Sequence, residues 1–322
     1  MTDLRLDGRV VVLTGAGRGI GRRHGQLLGR LGARLVIADA GTDLFGTGRD
    51  PGPAEAAAET IRADGGTAFA YTGDLCTEEG ACGAVDAAID EWGRVDAVVH
   101  NAGFTLGGKD FADESLARLD ALLAINTRAA FALALRAWPV MMGQGYGRLV
   151  FTSSSALHGL PRSLPYSTAK ASLVGLTRGL AAEGTGHGIK VNCVEPVGAT
   201  RMAENLAESE FRSWFLEQMR PELVSPMVAV LASEACPVSG EVLVAGGGRF
   251  ARTVFAENAG WIDPDPTPEA VLANFAAILD QSHLVRIEDG VHASAHHAEI
   301  LGFGPTTPVV VTAGRSPGDQ SS

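Results

Sequence analysis

Short, almost wholly apolar runs recur along this chain as far as about residue 245, and a longer Ala- and Leu-rich stretch follows most of them. The runs are RVVVLT (9–14), ARLVIAD (33–39), TAFAYT (67–72), VDAVVH (95–100), GRLVFTS (147–153), IKVNCVE (189–195) and GEVLVAG (240–246). A strand with one wet face alternates apolar and polar side chains. These runs barely alternate, so both of their faces must be covered. The intervening GQLLGRLG, AEAAAETIRAD and EGACGAVDAAIDEWG carry helical patterns. Strand–helix–strand repetition is satisfied by parallel pairing with right-handed crossovers. The expected fold is therefore α/β, a Rossmann-like, doubly wound parallel sheet of seven strands with helices on both faces.

Three stretches break this rhythm. AGTDLFGTGRDPGP (40–53) is a Gly-, Pro- and Asp-rich loop inserted after the second strand, and residues 197–222 read as a loop followed by an amphipathic helix. Beyond Gly248 the strand–helix pattern stops. The expected division is a main domain over 1–250 and a C-terminal extension over 251–322. The extension is expected to pack on that domain or on a neighbouring subunit, with flexible last residues.

The first glycine cluster, LTGAGRGIG (13–21), directly follows the first strand. Such a turn lets the backbone approach a pyrophosphate that rests on the next helix N-terminus. Gly15 suits the tight turn, Gly19 the close approach and Gly21 close helix–strand packing, with Arg18 and Ile20 between them. Asp39 ends the second strand, where a carboxylate accepts both adenosine ribose hydroxyls and repels a 2′-phosphate. Arg18 argues the other way, but the residue after Asp39 is Ala40 and adds no second cation, so NAD is the expected cofactor.

In YSTAK, Tyr166 and Lys170 lie four residues apart, on one face of a helix. A phenol with its usual pKa near ~10 is a poor base at neutral pH, but an ammonium at roughly 5 Å with an effective dielectric near 20 favours the phenolate by about 3 kcal/mol. The expectation is a phenol acidified by Lys170.

The net charge of −11 disfavours nucleic acid and anionic membranes as partners. No apolar run is long enough to span a bilayer, and the first strand is expected to begin by Arg9, leaving no room for a signal peptide. Cys76, Cys82, Cys193 and Cys236 lack paired spacing and read as reduced thiols of a cytoplasmic protein. His292, His296 and His297 include an i, i+4 pair that zinc could use, but no acidic or cysteine partner has suitable spacing and no metal is expected.

TGAGRGIG, HNAG (100–103), YSTAK (166–170) and VEPVGATRM (194–202) occur in the order found in the short-chain dehydrogenase/reductase family, which the chain resembles over about residues 8–248. His100 stands where the family pattern has its first asparagine. The resemblance implies hydride transfer between a nicotinamide and a secondary alcohol or ketone, with Tyr166 exchanging the proton and Lys170 tuning it and binding the nicotinamide ribose. It further implies that Ser154 holds the substrate oxygen, with Ser153 a close alternative, and that Asn126 kinks its helix and holds a relay water beside the lysine. Asp74 and Leu75 would meet the adenine, Asn101, Ala102 and Gly103 would line the adenosine side, and Thr200 would bond the cofactor amide or pyrophosphate. Family members pair long helices across subunits, which implies a homodimer or homotetramer.

The 40–53 insertion, YGRLVFTSSS and TPEAVLANF are similar to stretches of the dehydrogenase part of peroxisomal multifunctional enzymes, out to about residue 280. This implies a 3-hydroxyacyl-CoA substrate. A hydroxysteroid or terpenoid alcohol is the alternative, and a catalytically silent NAD-binding sensor or assembly subunit is a reading from another class. Leu206, Phe211, Trp214, Phe215 and Met219 form either an apolar lid over such a substrate or a packing helix.

Overall fold

The structure is a computed structural model that describes residues 4–200 and 208–302. Its strands are β1 (Val10–Thr14), β2 (Arg34–Ala38), β3 (Thr67–Tyr71), β4 (Ala97–His100), β5 (Gly147–Thr152), β6 (Ile189–Pro196), β7 (Val242–Gly246) and β8 (Arg249–Thr253). They form one sheet in the order β3-β2-β1-β4-β5-β6-β7-β8. The first seven are parallel and coincide with the apolar runs. The eighth was not anticipated. β8 returns antiparallel along β7 through Gly247 and Gly248, both at positive φ (57° and 80°), as a tight hairpin turn requires. Its sequence, RFART, has little apolar character because it covers an edge, and so it read as the start of the extension.

The helices of this part are α1 (Gly19–Arg30), α2 (Gly52–Ala63), α3 (Glu78–Trp92), α4 (Leu116–Leu123), α5 (Ala129–Gln144), α6 (Leu164–Glu183), α7 (Glu210–Gln218) and α8 (Ser225–Ala232). The pleat of β1 explains why its strand is apolar throughout. Val10 and Val12 enter the core formed with α3, α5 and α6, whereas Val11 and Leu13 enter the core formed with α1, α2 and α8. β1 pairs with β2 on one side and β4 on the other, so the strand order reverses there. In open α/β sheets the crevice at that reversal, beyond the strand C-termini, is where ligands bind.

The chain divides into two compact units, Met1–Thr253 and Val254–Ser322. The second contains a two-stranded antiparallel pair, β9 (Ala256–Glu257) with β10 (Val285–Arg286), and helices α9 (Pro268–Ala273), α10 (Phe275–Ile278) and α11 (Gly290–Ile300). The Thr267 hydroxyl caps α9 and the Asp289 carboxylate caps α11. The end expected to be flexible lies beyond residue 302, and Leu206 lies within 201–207; both are outside the described residues.

Candidate active site

A cavity of about 1030 Å³ opens at the C-terminal ends of β1, β4, β5 and β6. Its floor at β1 is the glycine turn. Gly15 and Gly19 have φ of 62° and 53°, a region that side chains avoid. A Cβ on Gly15 would lie 2.6 Å from the Ala102 Cα, and one on Gly21 would lie 2.1 Å from the Gly15 carbonyl oxygen. α1 starts without a side-chain cap and without an acid in its first turn, and Gly19 and Ile20 line the cavity. The uncapped N–H groups and the positive end of the helix dipole make this a place for a diphosphate. Thr200 also lines the cavity, its methyl 3.7 Å from where a Gly19 Cβ would be.

The Asp39 carboxylate accepts from the Gly17 N–H and the Gly41 N–H, each at 2.8 Å. Arg18 donates to the Thr42 carbonyl at 3.2 Å and lies 3.7 Å from Asp50, so the 40–53 loop engages it. Arg49 of the same loop pairs with Asp74. Burial by itself would raise the Asp74 carboxyl, but the Cys76 N–H and the Arg49 guanidinium outweigh it and hold the group below the usual carboxylate range. Leu44 accepts from the Thr105 N–H at 3.2 Å, which fastens the loop to the segment after β4. Sequence reasoning missed Arg49 as a site residue: it lies 25 positions from Asp74, and no local spacing announces the pair.

β4 delivers Asn101, Ala102 and Gly103 to the opposite wall. The Thr14 hydroxyl oxygen accepts from the N–H groups of Asn101 (3.2 Å) and Ala102 (3.1 Å), and Asn101 Nδ2 donates to the Gly15 carbonyl at 3.1 Å. Leu75 and Ala102 are buried beside them.

Beyond β5, the two candidate serines part. Ser153 Oγ donates to the Lys170 carbonyl at 2.8 Å, whereas Ser154 Oγ accepts from the Ala156 N–H at 3.2 Å and hydrogen-bonds the Tyr166 phenol. With one of its two lone pairs taken by an N–H, the Ser154 hydroxyl still has its proton to donate to the phenol oxygen. Tyr166 and Lys170 project from α6, with Lys170 Nζ 5.7 Å from the phenol ring centroid. The Lys170 ammonium donates to the Thr152 carbonyl at 2.8 Å. Burial pushes the Tyr166 phenol above its usual value, opposed by the Ser154 hydrogen bond, and pushes Lys170 down to about 8. The expected acidification of Tyr166 by Lys170 is therefore not the balance in the free chain. Nζ is bonded to a backbone carbonyl, and desolvation dominates both groups.

α4 runs into α5 through a π turn, Ala124–Arg128, with Asn126 at its centre, where the resemblance implies a kink. Asn126 Nδ2 donates to the Leu122 carbonyl at 2.8 Å, while its buried Oδ1 has no partner. A Cβ on Gly103 would come 3.0 Å from that oxygen and 3.3 Å from Lys170 Nζ, so both face the same narrow space.

From α7, Phe211 and Phe215 line the cavity with ring centroids 5.8 Å apart, and Trp214 stacks on Phe211 from outside. Met219 turns instead to Gly247. Phe104, another wall of the cavity, packs on Gly46 of the inserted loop and was also not singled out from the sequence.

The family model for short chain dehydrogenases matches residues 9–210. The chain belongs to the short-chain dehydrogenase family. It is accordingly an oxidoreductase acting on CH–OH groups, in the chemistry of alcohols and ketones. It is 38% identical over 276 residues to a short-chain type dehydrogenase/reductase of Mycobacterium tuberculosis, covering 85% of this chain and 95% of that one. It is 34% identical over 305 residues to peroxisomal multifunctional enzyme type 2 of Mus musculus, covering 93% of this chain but only 40% of that protein's length. A solved structure of 7α-hydroxysteroid dehydrogenase complexed with NADH and 7-oxo glycochenodeoxycholic acid superimposes with a TM-score of 0.68 at 28% identity, covering 77% of this chain and 98% of the other.

Proposed function

We propose that the protein is an NAD-dependent dehydrogenase that interconverts a secondary alcohol and its ketone, with a 3-hydroxyacyl-CoA as the substrate. The observation that carries this reading is the Ser154–Tyr166 hydrogen bond above buried Lys170, in the cavity that begins at the glycine turn. The likeness to the mouse multifunctional enzyme supports the substrate class.

The residues present fit a dinucleotide: the glycine cradle takes the diphosphate, Asp39 takes the adenosine ribose, and Asp74, Leu75 and the Asn101–Gly103 wall take the adenine side. Asp39 favours NAD over its phosphorylated form because a second negative charge beside a carboxylate is repelled. A bound nicotinamide supplies the acceptor or donor of the hydride. Ser154 holds the substrate oxygen, and Tyr166 receives the hydroxyl proton during oxidation or returns it during reduction. Lys170 favours the phenolate electrostatically once the phenol ionises, and the unpartnered Asn126 oxygen beside it is an acceptor that would hold a relay water next to the lysine.

A hydroxysteroid is the second reading, favoured by the neighbouring aromatic rings of Phe211 and Phe215 on the cavity wall. On α5, Phe131 and Leu135 are 54% and 62% exposed one helical turn apart, which supports a homodimer or homotetramer. The free thiols suit a reducing compartment, the cytoplasm. Among the described residues no helix is long and apolar enough to cross a membrane.

The test is NADH formation from NAD with a panel of 3-hydroxyacyl-CoAs and hydroxysteroids, alongside Tyr166→Phe. Turnover by the wild type and none by the phenylalanine variant, at similar NAD affinity, is the expected result. Tight NAD binding with no turnover across the panel would favour the silent sensor.

A further inference from the structure

β4 ends in His100, at the position where the family pattern carries asparagine, and its imidazole is 1% exposed. Nδ1 lies 2.9 Å from Thr14 Oγ1 and Nε2 lies 3.0 Å from the Ile125 carbonyl oxygen. A carbonyl only accepts, so Nε2 carries the proton and Nδ1 accepts the Thr14 hydroxyl hydrogen. The Thr14 oxygen then has its lone pairs for the Asn101 and Ala102 N–H groups, and every polar valence in the chain is used. Burial lowers the imidazole to about 4, which keeps it neutral at working pH, and the carbonyl at Nε2 selects this tautomer.

The far end of this hydrogen-bond relay meets the Ile125 carbonyl, which lies in the π turn. In an α-helix the Ile125 carbonyl would take the Ala129 N–H, but in the π turn that N–H goes to Ala124. His100 supplies that carbonyl with a donor from outside the helix. The next residue is Asn126, whose Oδ1 shares the space beside Gly103 with Lys170 Nζ.

We propose that His100 is a positioning residue, whose Nε2–H holds the π turn so that the Asn126 amide oxygen faces the Lys170 ammonium. The inference rests on the reading of Asn126 and Lys170 as part of the proton-handling site. The asparagine of the family pattern does not replace it: an asparagine amide reaches only as deep as Nδ1, which serves Thr14 and leaves the Ile125 carbonyl without this donor. A glutamine amide nitrogen reaches the depth of Nε2.

The test compares His100→Asn with His100→Gln in the full chain. The asparagine variant is expected to lose about tenfold in kcat while KM and NAD affinity stay within about twofold, and glutamine is expected to restore most of the rate. Hydrogen exchange across residues 120–132 should accelerate in the asparagine variant and return towards wild type with glutamine. Wild-type exchange and kcat in His100→Asn, a glutamine variant as impaired as asparagine, or an equal loss of NAD affinity would each overturn the proposal. Should the variants fold poorly, 15N shifts of the wild-type imidazole decide it: a neutral Nε2–H tautomer between pH 5 and 9 is expected, and an Nδ1–H tautomer overturns it. Absence of turnover by the wild type would sink the functional reading and leave the exchange and tautomer results standing.

Discussion

The Ser153 hydroxyl donates to the backbone carbonyl of Lys170 at 2.8 Å, and this bond turns it away from the phenol that Ser154 meets. Adjacent serines therefore have separate duties. Ser154→Ala should lower kcat by roughly 10²–10³, the usual loss for a donor to the reacting oxygen. Ser153→Ala should keep kcat within a few-fold and lose about 1 kcal/mol of stability. Steady-state kinetics with urea unfolding of both variants checks this, and equal kinetic losses would refute the division.

Asp39 is held by two backbone N–H groups, from Gly17 and Gly41, so its carboxylate stands preformed at the mouth of the glycine turn. Asp39→Ala should cut the kcat/KM preference for NAD over NADP by at least about tenfold, removing roughly 1.4 kcal/mol of discrimination. An unchanged ratio would mean that the preference is set elsewhere.

Lys170 is lowered by burial from 10.5 to about 8. In the unfolded chain it holds its proton to higher pH, so stability rises with pH between about 8 and 10.5 and the charged lysine costs the fold roughly 3 kcal/mol at neutral pH. Lys170→Met should be inactive yet melt at or above the wild-type temperature at pH 7, because the lost bond to Thr152 offsets only part of that gain. The difference should shrink as pH approaches 10. A methionine variant that melts well below the wild type at pH 7 would contradict this.

His24 is buried on α1, with Nδ1 2.9 Å from Ser225 Oγ on α8, and burial lowers it to about 3. Its unfolded value is higher, so the unfolded state takes up the proton first as pH falls below 6.5. The neutral ring thereby contributes stability above that pH and loses roughly 4 kcal/mol on the way down to about 3. Denaturant midpoints should fall from pH 6.5 to 4, and His24→Gln should flatten that limb. An identical acid limb in the variant would rule the histidine out as its source.

The parallel strands were legible because burial on both faces leaves a continuous apolar run, as in VVVLT and RLVIA. β8 was not, since an edge strand can be polar and RFART carries no such mark. The glycine turn, Asp39, Tyr166 and Lys170 were readable from short spacings that one turn or one helix converts directly into geometry. An irregularity at Asn126 was expected from its likeness to the family pattern, but not that His100, 25 residues before Ile125, would bond the π turn there.

The sequence by itself determined the layered fold, the glycine turn after β1 and the placing of Tyr166 and Lys170 on one helix, because each is encoded within one element or one crossover. Only the tertiary structure decided which serine meets Tyr166, that Arg49 pairs with Asp74, and that His100 bridges Thr14 to the Ile125 carbonyl. It also reversed the expected balance at Tyr166. The ammonium was close, as the spacing required, but how much a charge acts depends on the solvent removed from around it, which no spacing records.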